Sequence, residues 1–252
     1  MVRTHHQAES MTEGGLFKNI GRKTLINKYL LKKMNKTLFF ALIICSMVSC
    51  SPKYKSLFNG TNLNGWYAYT TNEKKQVNAQ DIYAVSDNMI RLYGEKVGYL
   101  MSHKSFENFE LSVDYRWNTD PKYHRNNNTK NSGVMYNIPT DAPDVLWPRG
   151  IQFQIKEGFT GDFVLLDSVT IHVKGVISTA GKSVVVTRSK DNDKPTGEWN
   201  TLVIQSKNGH CSQYLNGQLV NEGVDASSKK GRVLLQYEGS PIDFKNIKIK
   251  TF

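Results

Sequence analysis

The segment FELSVDYRW (residues 109–117) decides the fold class, because apolar and polar side chains alternate along it with a period of two. Its apolar positions are Leu111, Val113, Tyr115 and Trp117, and the intervening polar positions are Ser112, Asp114 and Arg116. Successive side chains of a β-strand point to opposite faces of a sheet. The segment is therefore predicted to be a strand with one buried face and one polar face.

Similar short runs recur along the rest of the chain, separated by turn-forming Gly, Asn, Asp and Pro. After Cys50, no segment of about ten residues or more shows a helical period of 3.6. The predicted strands are residues 82–85, 89–92, 109–117, 133–138, 151–155, 163–166, 169–173, 183–187, 201–205, 211–215, 233–237 and 244–249. We expect an all-β fold, a single-domain sandwich of two antiparallel sheets of the jelly-roll kind.

The net charge of +11 is unevenly distributed over the 252 residues. Residues 1–49 contain eight cations and two carboxylates, so the remaining 203 residues carry only +5. That remainder is spread among Lys/Asn-rich loops, without a basic helix or alternating basic and aromatic residues. Nucleic acid is therefore not an expected partner.

The segment MNKTLFFALIICSMVSC (residues 34–50) is typical of an export signal. A cationic start precedes about ten apolar residues, too few to span a bilayer of roughly 30 Å. The pattern resembles a bacterial lipoprotein signal, in which Cys50 becomes the lipidated first residue. Residues 1–33 are then an upstream extension from a misassigned start. The expected location is the cell envelope, lipid-anchored and on the periplasmic side, with no other membrane contact.

Polar residues share one face on several strands. In residues 150–157, Gln152, Gln154 and Lys156 alternate with apolar positions, and His172 and Lys174 alternate in residues 170–174. Such a face is either simply solvated or, together with Asp114 and Arg116, a concave surface that binds sugar.

Eight motifs in order resemble the 3-keto-disaccharide hydrolase domain family over residues 54–252. They are SLFNGTNLNGW (56–66), FELSVDYR (109–116), NSGV (131–134), GIQFQI (150–155), GEWN (197–200), LNG (215–217), GRVLLQ (231–236) and FKNI (244–247). The resemblance implies a concanavalin A-like jelly roll and a glycoside substrate already oxidised at C3. The C3 ketone acidifies the C2 proton, so that a base can remove it and the enolate can expel the C1 substituent. The site needs a base, donors for the enolate oxygen and a proton source for the leaving group.

The predicted oxyanion group is Arg116, whose planar guanidinium suits a carbonyl. Gln154 and Asn131 are predicted to bind sugar hydroxyls. Family members commonly carry Glu where this chain has Gln152, and an amide cannot act as a base at neutral pH. Gln152 is therefore predicted to bind substrate, and Trp147 to stack on a sugar ring.

The base is sought among Glu157, Asp162 and His172. The two carboxylates bracket the turn after the strand that contains Gln152, and Lys174, also placed in the substrate site, could keep His172 neutral. A divalent cation bound by His172 with Glu157 or Asp162 would supply the electrophile, although no spacing matches a known metal motif. The alternatives are a non-catalytic carbohydrate-binding protein on the same fold and an accessory lipoprotein that binds another protein.

Overall fold

The computed structural model of the chain describes Lys28, Tyr29, residues 52–123 and residues 130–252. Residues 52–252 form one compact unit, and the two described residues that precede it, Lys28 and Tyr29, are helical. Lipidation at Cys50 was predicted for a position outside the described residues. Among the described residues, no helix has the length and apolar character needed to cross a membrane.

The first sheet contains eight antiparallel strands. Seven are hydrogen-bonded in the order β16-β15-β14-β7-β18-β5-β4, and β1 pairs with β18. Their bounds are β1 (Lys55–Ser56), β4 (Ala84–Ser86), β5 (Met89–Leu92), β7 (Phe109–Trp117), β14 (Asn200–Lys207), β15 (His210–Leu215), β16 (Gln218–Gly223) and β18 (Ile242–Thr251).

The second sheet also contains eight antiparallel strands, in the order β13-β10-β9-β8-β17-β6-β2-β3. Their bounds are β2 (Trp66–Thr70), β3 (Gln76–Asn78), β6 (Gly98–Glu107), β8 (Asn131–Ile138), β9 (Gly150–Lys156), β10 (Phe163–Leu166), β13 (Ser183–Val186) and β17 (Lys230–Tyr237). A separate hairpin joins β11 (His172–Val173) to β12 (Val176–Ile177), and the 3₁₀ turn η1 spans Ala79–Asp81.

One large hydrophobic cluster lies between the two sheets. It includes Val113 of β7, Phe244 of β18, Phe153 of β9 and Leu235 of β17, all at most 1% exposed. A smaller cluster lies on the outer face of the second sheet and includes Tyr99 of β6. The predicted all-β sandwich of two antiparallel sheets is confirmed.

Three strands of the second sheet were not predicted: the short edge strand β3 and the buried strands β2 and β6. All five residues of β2 are buried, and β6 begins with the buried run Gly98–Ser102. Both strands are apolar on both faces because the smaller cluster covers their outer side. Alternation is a signature of strands with one wet face, so these strands lacked it.

Candidate active site

A cleft of about 200 Å³ opens on the outer face of the second sheet. Its apolar side is formed by Val164, Leu166 and Val185, with Ser183 beside them. We call the remaining lining residues the amide cleft: Asn131, Trp147, Gln152, Gln154, Gln236 and Glu238. This cleft lies over β8, β9 and β17, strands that neighbour one another in the sheet.

Strand alternation brings these polar side chains to one face. In β9, Ile151, Phe153 and Ile155 point into the core, so Gln152 and Gln154 face outward. In β17, Leu235 and Tyr237 point into the core in the same way. Gln236 and Glu238 therefore continue the outward face across the neighbouring strands.

The polar side chains form a connected hydrogen-bond network that includes Glu238. Asn131 Nδ2 donates to Glu238 Oε2, and the side-chain amide of Gln236 hydrogen-bonds the same carboxyl group. Gln154 Nε2 donates to Asn131 Oδ1 at 2.8 Å. Gln152 Nε2 donates to Gln236 Oε1. The four amides thus orient one another and hold the carboxylate in place.

Glu238 is partly buried at the end of β17. Burial raises its pKa above the ordinary glutamate value, while the hydrogen bonds from Gln236 and Asn131 and the charge of Lys156 act in the opposite direction. Desolvation disfavours the charged form of a carboxyl group. Glu238 is therefore a stronger base when ionised than a solvated glutamate, as proton abstraction from carbon requires.

Gly133 in β8 makes room for the Gln152 side chain. A Cβ atom at residue 133 would lie 1.9 Å from Gln152 Nε2 and within 2.8 Å of its Cγ. No Cβ atom tolerates such a distance, so either the amide or the strand must shift. Gly133 of the NSGV motif is therefore needed to leave room for the Gln152 side chain in the amide cleft.

Replacing Gly133 with Ala is expected to lower the free energy of unfolding by about 1–3 kcal/mol, the usual range for overpacking. The same change should cost little in a Gln152→Ala background, because the clashing atoms are then absent. A denaturant-unfolding double-mutant cycle measures this coupling. An equal cost in both backgrounds would contradict the close contact.

The loop 139–149 carries Trp147 to the cleft. Asp144 anchors this loop by accepting hydrogen bonds from Tyr67 Oη at 2.7 Å, Tyr99 Oη at 3.1 Å and Gln76 Nε2 at 2.6 Å. Arg232 Nη2 adds bonds to two loop carbonyls. Trp147 packs against the smaller hydrophobic cluster with one side and lines the cleft.

Of the residues predicted to contact substrate, Asn131, Gln152, Gln154 and Trp147 are brought together in the amide cleft. Lys174 is not among them. It occupies the turn between β11 and β12 and lines a different cavity of about 660 Å³. His172 lines that second cavity too, so the expected common face of His172 and Gln152 is not formed.

The two turn carboxylates also lie outside the amide cleft. Glu157 is exposed, forms an ion pair with Lys130 and lines a third cavity beside Trp117. Asp162 is 2% exposed. Its Oδ1 accepts from the Arg188 backbone at 2.9 Å and from Arg188 Nη1 at 3.2 Å. The turn between β9 and β10 directs both side chains away from the cleft.

Arg116 belongs to β7 of the first sheet, so it lies on the other side of the core from the cleft. Arg116 Nε donates to Asp243 Oδ2 at 3.0 Å, and its guanidinium lies 4.7 Å from the Trp199 ring. The sequence predicted one concave surface shared by Arg116, Gln152 and His172. This prediction is wrong, because the strands that carry them belong to three different sheets.

The predicted metal ligands are likewise apart, since His172 and Glu157 line different cavities. Within the described ranges, no group of three or more His, Cys, Asp or Glu side chains is arranged to hold a metal ion.

Glu238 and Gln236 are the cleft residues that the sequence analysis did not select. Gln236 closes the GRVLLQ motif, and Glu238 follows it with the period of two that carries Gln152 and Gln154 outward. Extending the alternation of β17 from Gln236 by two residues would have placed Glu238 on the same outward face.

Comparisons with known proteins identify the family. The family model of the 3-keto-alpha-glucoside-1,2-lyase-like domain matches residues 53–250. No curated protein sequence matches the chain significantly.

Solved structures share the fold at low sequence identity. A crystal structure of "a putative glycosyl hydrolase from Parabacteroides distasonis ATCC 8503" has a TM-score of 0.56 and 22% identity, covering 79% of this chain and 94% of that one. The carbohydrate binding module CBM66 from Bacillus subtilis has a TM-score of 0.51 and 14% identity, covering 74% and 96%. The matched domain spans nearly all of the sandwich, and the chain accordingly belongs to the 3-keto-alpha-glucoside-1,2-lyase-like domain family, a carbohydrate-active jelly-roll family.

Proposed function

We propose that the protein cleaves 3-keto-glycosides, with Glu238 as the base that removes the C2 proton. One observation carries this proposal: Glu238 is a partly buried carboxyl group with a raised pKa, held by two amides inside a polar cleft. Family membership supports a 3-keto-sugar substrate.

The proposed reaction begins when Glu238 takes the proton from C2 and the electron pair moves into the C3 carbonyl to give an enolate. The enolate then re-forms the ketone and expels the oxygen at C1, leaving a C1–C2 double bond. The departing oxygen receives a proton from protonated Glu238 or from water. Addition of water across the double bond restores the C2 proton and completes a net hydrolysis.

The number of carboxyl groups favours elimination over ordinary glycoside hydrolysis. Ordinary glycosidases use two carboxyl groups that flank the scissile bond. Among the described residues that line the amide cleft, Glu238 alone carries a carboxyl group. One base suffices for proton abstraction next to a ketone, because the substrate itself accepts the electron pair.

The amides supply the remaining requirements of the site. Each Asn or Gln side chain offers two N–H donors and a carbonyl acceptor. Gln152, Gln154 and Asn131 can therefore bind sugar hydroxyls and donate to the developing enolate oxygen, which is stabilised by donors already in place. Trp147 offers a ring face to the C–H surface of the sugar.

We place this activity in the cell envelope, on the periplasmic side, with a lipid on Cys50 as the anchor. The observation that supports this is the export-type segment of residues 34–50. Globomycin-sensitive processing and labelling by radioactive palmitate would test it, and Cys50→Ser should abolish both.

Release of a chromogenic aglycone from a 3-keto-glucoside tests the proposed reaction. The parent glucoside, not oxidised at C3, should release nothing because its C2 proton is not acidic. A parallel assay with EDTA tests whether a divalent cation contributes to aglycone release. Absence of release from the 3-keto-glucoside in every arm would refute the enzyme hypothesis.

The pH dependence follows from the environment of Glu238. Because its pKa is raised in the folded protein, a larger share of the carboxyl groups is protonated at mildly acidic pH than for a solvated glutamate. We expect kcat/KM for aglycone release to fall as the pH drops through this raised pKa. A profile that stays flat down to the ordinary glutamate pKa would contradict Glu238 as the base.

A non-catalytic carbohydrate-binding protein is the second candidate. It is favoured by the amide at position 152 and by Trp147 beside the cleft. It predicts binding of intact glycosides, lost in Trp147→Ala, without aglycone release from any substrate.

A further inference from the structure

The outer face of the first sheet, opposite the amide cleft, carries a row of lysines. In β18, Ile247 and Ile249 point into the core, so Lys248 and Lys250 point outward. Ser56 of β1 pairs with Lys248, so Tyr54, two residues earlier, lies on the same outward face.

Aromatic rings accompany these cations on the same face. Lys245 Nζ lies 3.8 Å from the Trp199 ring centre. Lys248 and Lys250 lie 5.5 Å and 5.0 Å from the Tyr54 ring. We call Lys245, Lys248, Lys250, Tyr54 and Trp199 the basic–aromatic face. Lysines combined with Tyr and Trp are typical of protein surfaces at the headgroup level of a bilayer.

Carboxylates on this face neutralise only part of its charge. Glu110 pairs with Lys250 at 2.9 Å, and Asp114 accepts hydrogen bonds from Thr201 and Asn246. Lys245 and Lys248 take part in none of the ion pairs found among the described residues. These two cations remain available to an anionic partner.

The position of the face along the chain indicates which partner. Tyr54 follows Cys50 by four residues, a span of at most about 14 Å for an extended chain. A lipid on Cys50 would therefore keep the face close to a bilayer surface. Pairing of β1 with β18 holds this end of the domain next to Lys248.

The geometry points to an anionic lipid surface as the partner of the basic–aromatic face. The bilayer is approached by the first sheet, and the amide cleft on the outer face of the second sheet opens away from it, since both sheets pack on one core. This docking is independent of catalysis. It rests on the proposed lipid anchor, which indicates a bilayer as the partner and raises its local concentration.

Vesicle co-sedimentation of the fragment 52–252 tests the face without the lipid. This fragment contains every residue of both hydrophobic clusters, so it can be studied alone. We expect binding to phosphatidylcholine vesicles with about 30 mol% phosphatidylglycerol, and weak binding to phosphatidylcholine alone. Raising the salt to about 0.5 M should release the protein.

The double variant Lys245→Gln/Lys248→Gln should lower the partition coefficient about 25-fold, because each lysine near an anionic surface contributes about fivefold. The matched control is Lys74→Gln/Lys75→Gln, two exposed lysines between β2 and β3 of the second sheet. The control should bind like the unmodified fragment.

Equal loss in both double variants, or no binding to anionic vesicles, would overturn the proposal. Binding to double-stranded DNA without binding to vesicles would also overturn it and indicate a soluble polyanion instead. Aglycone release, measured on the same variants, should be unchanged. A failed vesicle assay is thus distinguishable from a failed enzyme hypothesis.

Discussion

Replacing Glu238 with Gln is expected to lower the rate of aglycone release from a 3-keto-glucoside by about 10³-fold, within the range that a general base contributes. The amide cannot accept the C2 proton, yet it matches the carboxyl group in size. Because the carboxyl group is partly buried and its pKa is raised by desolvation, the variant should be as stable as the unmodified protein or more so. Steady-state kinetics and a thermal melt measure the two effects.

Glu157→Gln is the matched control for this experiment. Glu157 was predicted as a base, but it is exposed and paired with Lys130 outside the amide cleft. Its replacement should leave the rate within about threefold, as expected for an exposed ion pair. The opposite outcome, in which Glu157→Gln is inactive and Glu238→Gln retains its rate, would move the base to the turn after β9.

Replacing Asp243 with Ala is expected to lower the free energy of unfolding by about 3–5 kcal/mol, as for removal of one partner from a buried ion pair. Asp243 is fully buried in β18. It accepts from Arg91 at 3.2 Å, from Arg116 at 3.0 Å and from Asn118 at 3.0 Å. Its loss leaves two guanidinium groups without their shared carboxylate. Urea unfolding measures the change.

Asp141→Ala serves as the control, because Asp141 is exposed. It should change the stability by no more than about 0.5 kcal/mol. The kinetics of the folded Asp243→Ala fraction distinguish the two roles of Arg116. An unchanged kcat/KM supports its role as a structural partner of Asp243, whereas a large loss would restore it as the oxyanion group.

The strands predicted from sequence were short alternating or apolar runs bounded by turn residues. They include β10 and β17, although nearly all residues of these two strands are buried. β7 alternates over nine residues and was predicted with its observed bounds. β5 and β10 were predicted with their observed bounds as well. β2 and β6 were missed because loop 139–149 and the smaller hydrophobic cluster cover their outer faces. When a loop distant in sequence covers the outer face of a strand, both faces are buried, and the strand shows no alternation of apolar and polar residues.

Alternation within a strand predicted some residues of the amide cleft and missed others. Gln152 and Gln154 stand two residues apart on one strand, so a period of two predicts that they share a face. Glu238 is 84 residues beyond Gln154, and it joins the same cleft only because β17 is hydrogen-bonded to β8, and β8 to β9. Strand order is not encoded in the periodicity of any one strand.

The same cause separates the groups that were expected to act together. Glu157 and Asp162 are close to Gln152 in sequence, but the turn after β9 carries them beyond the sheet, where Arg188 and Lys130 pair with them. His172 lies in a hairpin outside both large sheets. Their proximity in sequence predicted that these carboxylates would share a site with Gln152, but the direction of the chain at the turn takes them away from it.

The amino-acid sequence by itself determined the all-β class, the positions of most strands and the family, because side-chain periodicity and ordered motifs are local properties of a chain. Only the tertiary structure decided which carboxyl group shares the cleft with Gln152, Gln154 and Trp147. That choice depends on which strands become neighbours, and neighbouring strands are selected by packing across the core, between residues far apart in the chain.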